Sequence, residues 1–153
     1  SRGPVFFLQK RVGQNGKRFL FYKFRSMRVD SPIYALTPST GHDNRITPIG
    51  RVLRRFSLDE LPQLLNVIRG DMSLVGPRPE MPFIVSKYNH LQRQRLNVKP
   101  GITGLWQISP ARRYAIHENM DYDIYYINHQ SFFLDVAIMF RTAFSAVRGV
   151  GAC

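Results

Sequence analysis

At 153 residues, 44% of them hydrophobic, the chain has the length and apolar content of one domain with a single core. Its one cysteine, Cys153, stands at the last position, which excludes an internal disulfide, a Cys-rich zinc site and a redox pair and fits a cytoplasmic setting. Twenty-two Lys and Arg against ten Asp and Glu leave a net charge of +12, spread from Lys10 to Arg148, a surface suited to nucleic acid, an acidic lipid surface or a phosphorylated small molecule.

No run of about eighteen uncharged apolar residues exists, so nothing here spans a bilayer, and the N-terminus lacks the pattern of a signal peptide. Ser1-Arg2-Gly3-Pro4 runs directly into the strand-like Val5-Phe6-Phe7-Leu8, as expected of a cut inside a longer protein. Val5 to Lys10 and Phe19 to Arg25 are rich in aromatic and β-favouring residues, and Gly13-Gln14-Asn15-Gly16 between them is turn chemistry, so a β-hairpin is expected. Residues 30–48, with Ser31-Pro32, Thr37-Pro38, Gly41 and Thr47-Pro48, read as a loop. Ile49, Val52, Leu53 and Phe56 recur at helical spacing, with Arg51, Arg54 and Arg55 on the other face. A second helix is expected from about Asp59 to Ile68, stopped by Gly70.

Gly76, Pro77, Pro79 and Pro82 make residues 71–82 a stiff loop, after which Phe83 to Leu96 can be helical. Pro100-Gly101 is a turn leading into a strand-like Ile102 to Ile108, whose Trp106 reads as core. Residues 114–128 again have helical spacing, and Phe132 to Arg148 closes the chain. On a wheel, that last segment puts Phe132, Phe133, Val136, Ala137, Met139, Phe140, Ala143, Phe144, Ala146 and Val147 on one side. Asp135, Arg141, Thr142, Ser145 and Arg148 lie opposite, with Leu134 and Ile138 intruding among them. Such a helix can pack on the core or lie in a membrane interface. The whole reads as an α+β, helix-dominated single domain with an N-terminal β-hairpin, Pro-rich loops and a C-terminal amphipathic helix.

Asp59 and Glu60 fall in the first turn of the second helix, because Pro62 confines its start. Unpaired N–H groups and the helix dipole there favour ionised carboxylates. An ionised Asp can attack phosphorus, and a neighbouring carboxylate can hold Mg²⁺ against a diphosphate, although the same pair also suits simple capping. In Gly76-Pro77-Arg78-Pro79-Glu80 two prolines brace Arg78, either as a pre-positioned fork for phosphate or as an ordinary rigid turn. Strand alternation sends Lys23 and Arg25 to one face and Phe24 to the other, where two cations serve a diphosphate or simply a solvated edge. Arg51, Arg54 and Arg55 suit a lipid head group or a solvated helix face. His42, His90, His117 and His129 have no metal-site spacing.

Six ordered segments carry a resemblance. They are Gly3-Pro4-Val5-Phe6-Phe7, Gln9-Lys10-Arg11-Val12-Gly13, Lys23-Phe24-Arg25-Ser26-Met27, Ser57-Leu58-Asp59-Glu60-Leu61-Pro62-Gln63, Gly70 through Glu80, and Pro100-Gly101-Ile102-Thr103-Gly104-Leu105-Trp106-Gln107. With Tyr122 to Ile127 and Leu134-Asp135 behind them, they resemble the bacterial sugar transferase family, the monotopic phosphoglycosyl transferases that begin polysaccharide and glycoconjugate assembly. The resemblance implies a catalytic domain over 1–153, its N-terminal membrane-anchoring helix lying outside the chain. It implies that Asp59 attacks the β-phosphorus of a UDP-sugar, releases UMP and holds the sugar phosphate until polyprenyl (undecaprenyl) phosphate takes it. By the same likeness Glu60 would bind Mg²⁺, Arg78 would grip phosphate and Lys23 would lie at the active site; strand alternation adds Arg25 as a phosphate-binding candidate, and the proline bracing makes Pro77, Pro79 and Glu80 its loop support. The setting implied is the cytoplasmic face of the bacterial inner membrane, with no nucleic acid bound. Arg2, where the family often has Pro, and Cys153, where relatives often end in Tyr, depart from the pattern. A basic nucleic-acid-binding module and an inactive membrane-docking scaffold are the rival readings.

Overall fold

The computed structural model describes residues 2–32, 43–110, 114 and 120–149. The expected loop at 30–48 lies outside them over 33–42, as do the first half of the expected 114–128 helix, His42, His117 and Cys153.

Strands β1 (Phe6–Val12) and β2 (Arg18–Phe24) form the expected antiparallel hairpin, in register from Phe6 opposite Phe24 to Val12 opposite Arg18. The alternation sorts its faces: Gln9, Phe19 and Phe21 are buried on the inner face, while Phe6, Leu8 and Leu20 remain exposed on the outer one. Arg11 and Lys23 share the inner face with Phe21, and each cation lies over that ring.

Helix α1 (Pro48–Arg55) begins inside the expected loop, because Thr47 Oγ1 caps it by accepting from Gly50 N at 3.0 Å. Gly50 is needed there: a Cβ on it would stand 1.9 Å from Ser26 O. The expected Asp59–Ile68 helix is two pieces, a 3₁₀ helix at Leu58–Gln63 and α2 at Leu64–Ile68. Pro62 sits within the first and supplies no N–H to an α-helical ladder, so the turn tightens. Asp59, Pro62, Gln63 and Asn66 form the buried face of this pair. Asn66 fixes it to the hairpin, donating to Leu20 O at 2.6 Å and accepting from Tyr22 N at 3.2 Å.

Strands β3 (Ser73–Val75) and β4 (Gly101–Thr103) pair in parallel. At Gly101 a Cβ would stand 2.1 Å from Gly76 N, so glycine alone lets the two backbones approach this closely. Between them the helix expected at Phe83–Leu96 is broken into α3 (Pro82–Val85), α4 (His90–Arg93) and a 3₁₀ turn at Gln94–Asn97. The break is local chemistry: Asn89 and Gln92 form a reciprocal capping box that starts a new helix. The strand expected to reach Ile108 stops at Thr103, and α5 (Leu105–Ile108) follows, its entry pinned by Gln107 Nε2 donating to Ile102 O at 2.6 Å. Trp106, read as core, is only half-buried there.

Helix α6 (Asp121–Asn128) and helix α7 (Phe132–Val147) complete the domain. One core cluster joins Phe19, Phe21 and Met72, and a second joins Val75, Tyr126 and Ile138. Helix α7 docks by the side that the wheel marks as polar. Ile138 is 1% exposed, Tyr126 Oη donates to Asp135 Oδ1 at 2.9 Å, and Thr142 Oγ1 meets Thr103 Oγ1 at 2.6 Å. The phenylalanine side is turned to solvent, with Phe140 73% and Phe144 57% exposed. Leu134 and Ile138, with Met139 from the edge of the apolar side, pack in the second core cluster, and their neighbours Asp135 and Thr142 hydrogen-bond to Tyr126 and Thr103.

Ile138→Ala should therefore lose about 2–4 kcal/mol of unfolding free energy, while Phe140→Ser should stay within about 0.5 kcal/mol of the parent, as read by urea denaturation.

Candidate active site

Three segments converge beneath the inner face of the hairpin: β2, the 3₁₀ helix carrying Asp59 and Glu60, and the loop after β3. Glu60 is their meeting point. Its Oε1 accepts from Lys23 Nζ at 2.7 Å and from Arg78 Nη2 at 2.7 Å, and its Oε2 accepts from Arg78 Nη1 at 3.3 Å. The Arg78 fork thus meets the carboxylate with two nitrogens. Asp59 is buried beside it, its Oδ2 lying 3.9 Å from Lys23 Nζ.

The proline loop is anchored from both sides. Gly101 N donates to Pro77 O at 3.0 Å, Arg11 Nη1 donates to Pro79 O at 3.1 Å, and Val12 N donates to Glu80 O at 3.0 Å. Arg11 also lies 3.8 Å from Glu80 Oε2. Behind the loop, Arg95 Nη2 donates to Arg78 O at 2.6 Å, Arg95 Nε donates to Asp123 Oδ2 at 2.8 Å, and Arg95 also bonds the Tyr88 hydroxyl. This buried layer fixes the backbone from which Arg78 projects.

Burial works against every charge here, and the ion pairs decide the outcome. Burial raises the Glu60 carboxyl, but Arg78 and then Lys23 outweigh it and hold the group well below its ordinary value of 4.5. Burial likewise opposes the Arg78 charge, which Glu60 restores and raises. Lys23 ends lowered, because burial exceeds the pull of Glu60. Burial and the neighbouring Arg78 guanidinium bring Arg11 down to about 10. Burial pushes Tyr88 up to about 12, so its hydroxyl keeps its proton, and burial raises Asp123 against the pull of Arg95.

Of the residues singled out in the sequence, Lys23, Asp59, Glu60, Arg78, Pro77, Pro79 and Glu80 belong to this assembly. Arg25 Nε donates to Pro4 O at 2.6 Å, which turns that nitrogen to the N-terminal segment. Sequence reasoning missed Arg11, Tyr88, Arg95 and Asp123. Hairpin parity holds the signal for Arg11, which falls on the same face as Lys23. Among the described residues no group of three or more His, Cys, Asp or Glu could hold a metal ion. Glu60 is the carboxylate that could share a Mg²⁺ with substrate phosphates, since such an ion needs only one or two protein carboxylates.

The sequence profile described as bacterial sugar transferase matches residues 1–149. The chain is 46% identical over 162 residues to the galactosyl transferase CpsE of Streptococcus agalactiae, covering 98% of this chain and 36% of that protein. It is 41% identical over 160 residues to the UDP-N-acetylgalactosamine-undecaprenyl-phosphate N-acetylgalactosaminephosphotransferase of Aeromonas hydrophila, covering 99% of this chain and 37% of that one. To the UDP-glucose:undecaprenyl-phosphate glucose-1-phosphate transferase of Escherichia coli it is 42% identical over 152 residues, covering 94% and 33%. The chain therefore spans about a third of the length of these relatives.

The folded Glu60 carboxyl titrates below its unfolded counterpart. Its stabilisation is therefore fully present above about pH 4.5 and is lost as pH falls from there through the folded value. Glu60→Gln should lower unfolding free energy at pH 7 by about 3 kcal/mol, because Lys23 and Arg78 lose their counter-charge. It should also flatten the acid decline below pH 4.5, as read from melting temperature against pH.

Proposed function

The chain belongs to the bacterial sugar transferase family, and from that premise we propose that it transfers a hexose-1-phosphate from a UDP-sugar to a polyprenyl phosphate, the first step of polysaccharide or glycoconjugate assembly. The observation that carries this reading is the Asp59-Glu60 pair, with Asp59 buried and Glu60 partly buried, gathered with Lys23 and the proline-braced Arg78 in one charge cluster. An in-line displacement on phosphorus needs a positioned nucleophile and cations around the developing charge, and the cluster holds both. The three relatives described above bear the names of transferases of galactose, N-acetylgalactosamine and glucose, and two of those names include undecaprenyl phosphate.

In the first step an Asp59 carboxylate oxygen bonds to the β-phosphorus as the bond to the bridging oxygen breaks. UMP leaves with that electron pair, and the sugar phosphate stays on Asp59 as an acyl phosphate. In the second step a phosphate oxygen of the polyprenyl acceptor attacks the same phosphorus, the bond to Asp59 breaks and the carboxylate is restored. Lys23 and Arg78 donate to the phosphate oxygens as charge moves through them, and Arg11 holds the loop that carries Arg78. Mg²⁺, held by Glu60 with the diphosphate oxygens, would offset substrate charge.

The acceptor's chemistry also requires a lipid surface, and the exposed apolar residues supply one face for it. Ile49, Val52 and Phe56 of α1 stand exposed beside its arginines, as do Leu61, Leu64, Leu65 and Ile68 of the next two helices. The end of α7 reaches this region, since a Cβ on Gly149 would lie 2.8 Å from Arg55 Nε. Apolar side chains rimmed by arginine match an anionic membrane interface, here the cytoplasmic face of the bacterial inner membrane. Among the described residues no helix is long and apolar enough to cross a membrane, so this face would lie on the bilayer.

The full-length protein, given Mg²⁺, a UDP-sugar from a panel and undecaprenyl phosphate in detergent, should release UMP, and Asp59→Asn should abolish that release. Undiminished release from the variant would remove Asp59 as nucleophile. Replacing Phe140 and Phe144 together by Ser should weaken association with anionic liposomes by about tenfold or more, with little change in melting temperature. A fall in melting temperature without loss of liposome association would assign those rings to the core instead.

A further inference from the structure

Gln63 is fully buried, and neither its Oε1 nor its Nε2 has a hydrogen-bond partner. It lies on the inner face of the carboxylate helix, between Asp59 and Asn66. The contrast with Asn66 is informative, because that equally buried amide is used in full on the backbone of β2. A buried amide with no partner is unfavourable for folding, and an apolar residue of the same shape would fill the space without that burden. An amide that stability does not require, four residues from a buried carboxylate proposed as nucleophile, points to a role in the reaction.

Asp59 shows what is missing. Among the described residues its carboxylate forms one ion pair, the 3.9 Å approach of Lys23, lies in the field of Arg78, and accepts no hydrogen bond. Resting on the assignment of Asp59 as nucleophile, we propose that Gln63 is a positioning residue that donates its Nε2–H to Asp59 during turnover. The need arises when one carboxylate oxygen bonds to phosphorus. The other oxygen becomes a neutral carbonyl, and Lys23, attracted by the phosphate, no longer orients it. A donor from the interior side then fixes the acyl phosphate, so that the acceptor attacks in line with the bond to Asp59. Asp59 and Gln63 are both buried residues of this one short 3₁₀ helix, and the side chain of Gln63, tilted toward the helix N-terminus, extends in the direction of Asp59.

The test compares Gln63→Leu and Gln63→Met in the full-length protein with the parent and with Asp59→Asn, using UMP release and melting temperature. Both Gln63 variants should melt at or above the parent temperature. Turnover should fall at least tenfold, while KM for the UDP-sugar stays within twofold. Turnover within twofold of the parent in either stable variant overturns the proposal, as does loss of activity in step with melting temperature. The two ideas separate cleanly: activity in Asp59→Asn removes the nucleophile assignment itself, whereas an inactive Asp59→Asn beside a fully active Gln63→Leu removes only the role of Gln63.

Discussion

Glu60 accepts from Lys23 of β2 and from Arg78 of the proline loop, and with all three side chains mostly buried neither cation could stay in place without it. A buried ion pair gains little over apolar packing of the same volume, yet losing one partner strands the other charge. The cluster therefore acts as a gate on assembly. The hairpin and the loop after β3 depend on the 3₁₀ helix between them, because without Glu60 both Lys23 and Arg78 lose the acceptor they share. The same contacts leave Asp59, the proposed nucleophile, beside Lys23 and Arg78, the cations proposed to meet phosphate, in a fixed arrangement.

A second ionic layer extends this constraint to the C-terminal half. Arg95 joins the Arg78 carbonyl to Asp123 of α6, and Tyr126 of the same helix joins Val75 of β3 to Asp135 of α7. Helices α6 and α7 thus hold the strand that leads into the proline loop from one side, while the hairpin holds the loop itself through Arg11 and Val12. The loop has little freedom between these supports. Its prolines lower the entropy lost on ordering, and the hydrogen bonds choose which ordered form is kept.

What could be read from the sequence was whatever local chemistry decides. Alternating aromatics around a Gly-Asn turn gave the hairpin faces, and the positions of Asp59, Glu60 and Arg78 followed from their prolines. Helix lengths were harder, because the capping box at Asn89 and the tight turn at Pro62 cut periodic stretches that pattern alone runs together. The orientation of α7 was illegible for another reason. A wheel counts apolar residues, whereas the docked side is chosen by partners distant in sequence, Thr103 for Thr142 and Tyr126 for Asp135. Arg95 and Asp123 escaped notice likewise, since twenty-eight residues separate a pair that only the fold joins.

The charge balance of the cluster bears on how substrate enters. Arg11, Lys23 and Arg78 face Asp59, Glu60 and Glu80, three positive groups against three negative ones. A diphosphate adds negative charge to a neutral set in a largely dry site, where such an excess is strongly unfavourable. On the proposed function it would either draw Lys23 and Arg78 from Glu60 or arrive with a cation of its own, and in the first case Glu60 becomes a free carboxylate able to receive a cation. That route loosens the contacts that hold Glu60 now, so the ion pairs that join the three segments would also be those that substrate exchanges. A carboxylate committed to two cations at rest would thereby be freed, under the proposed function, only when a phosphate takes those cations from it.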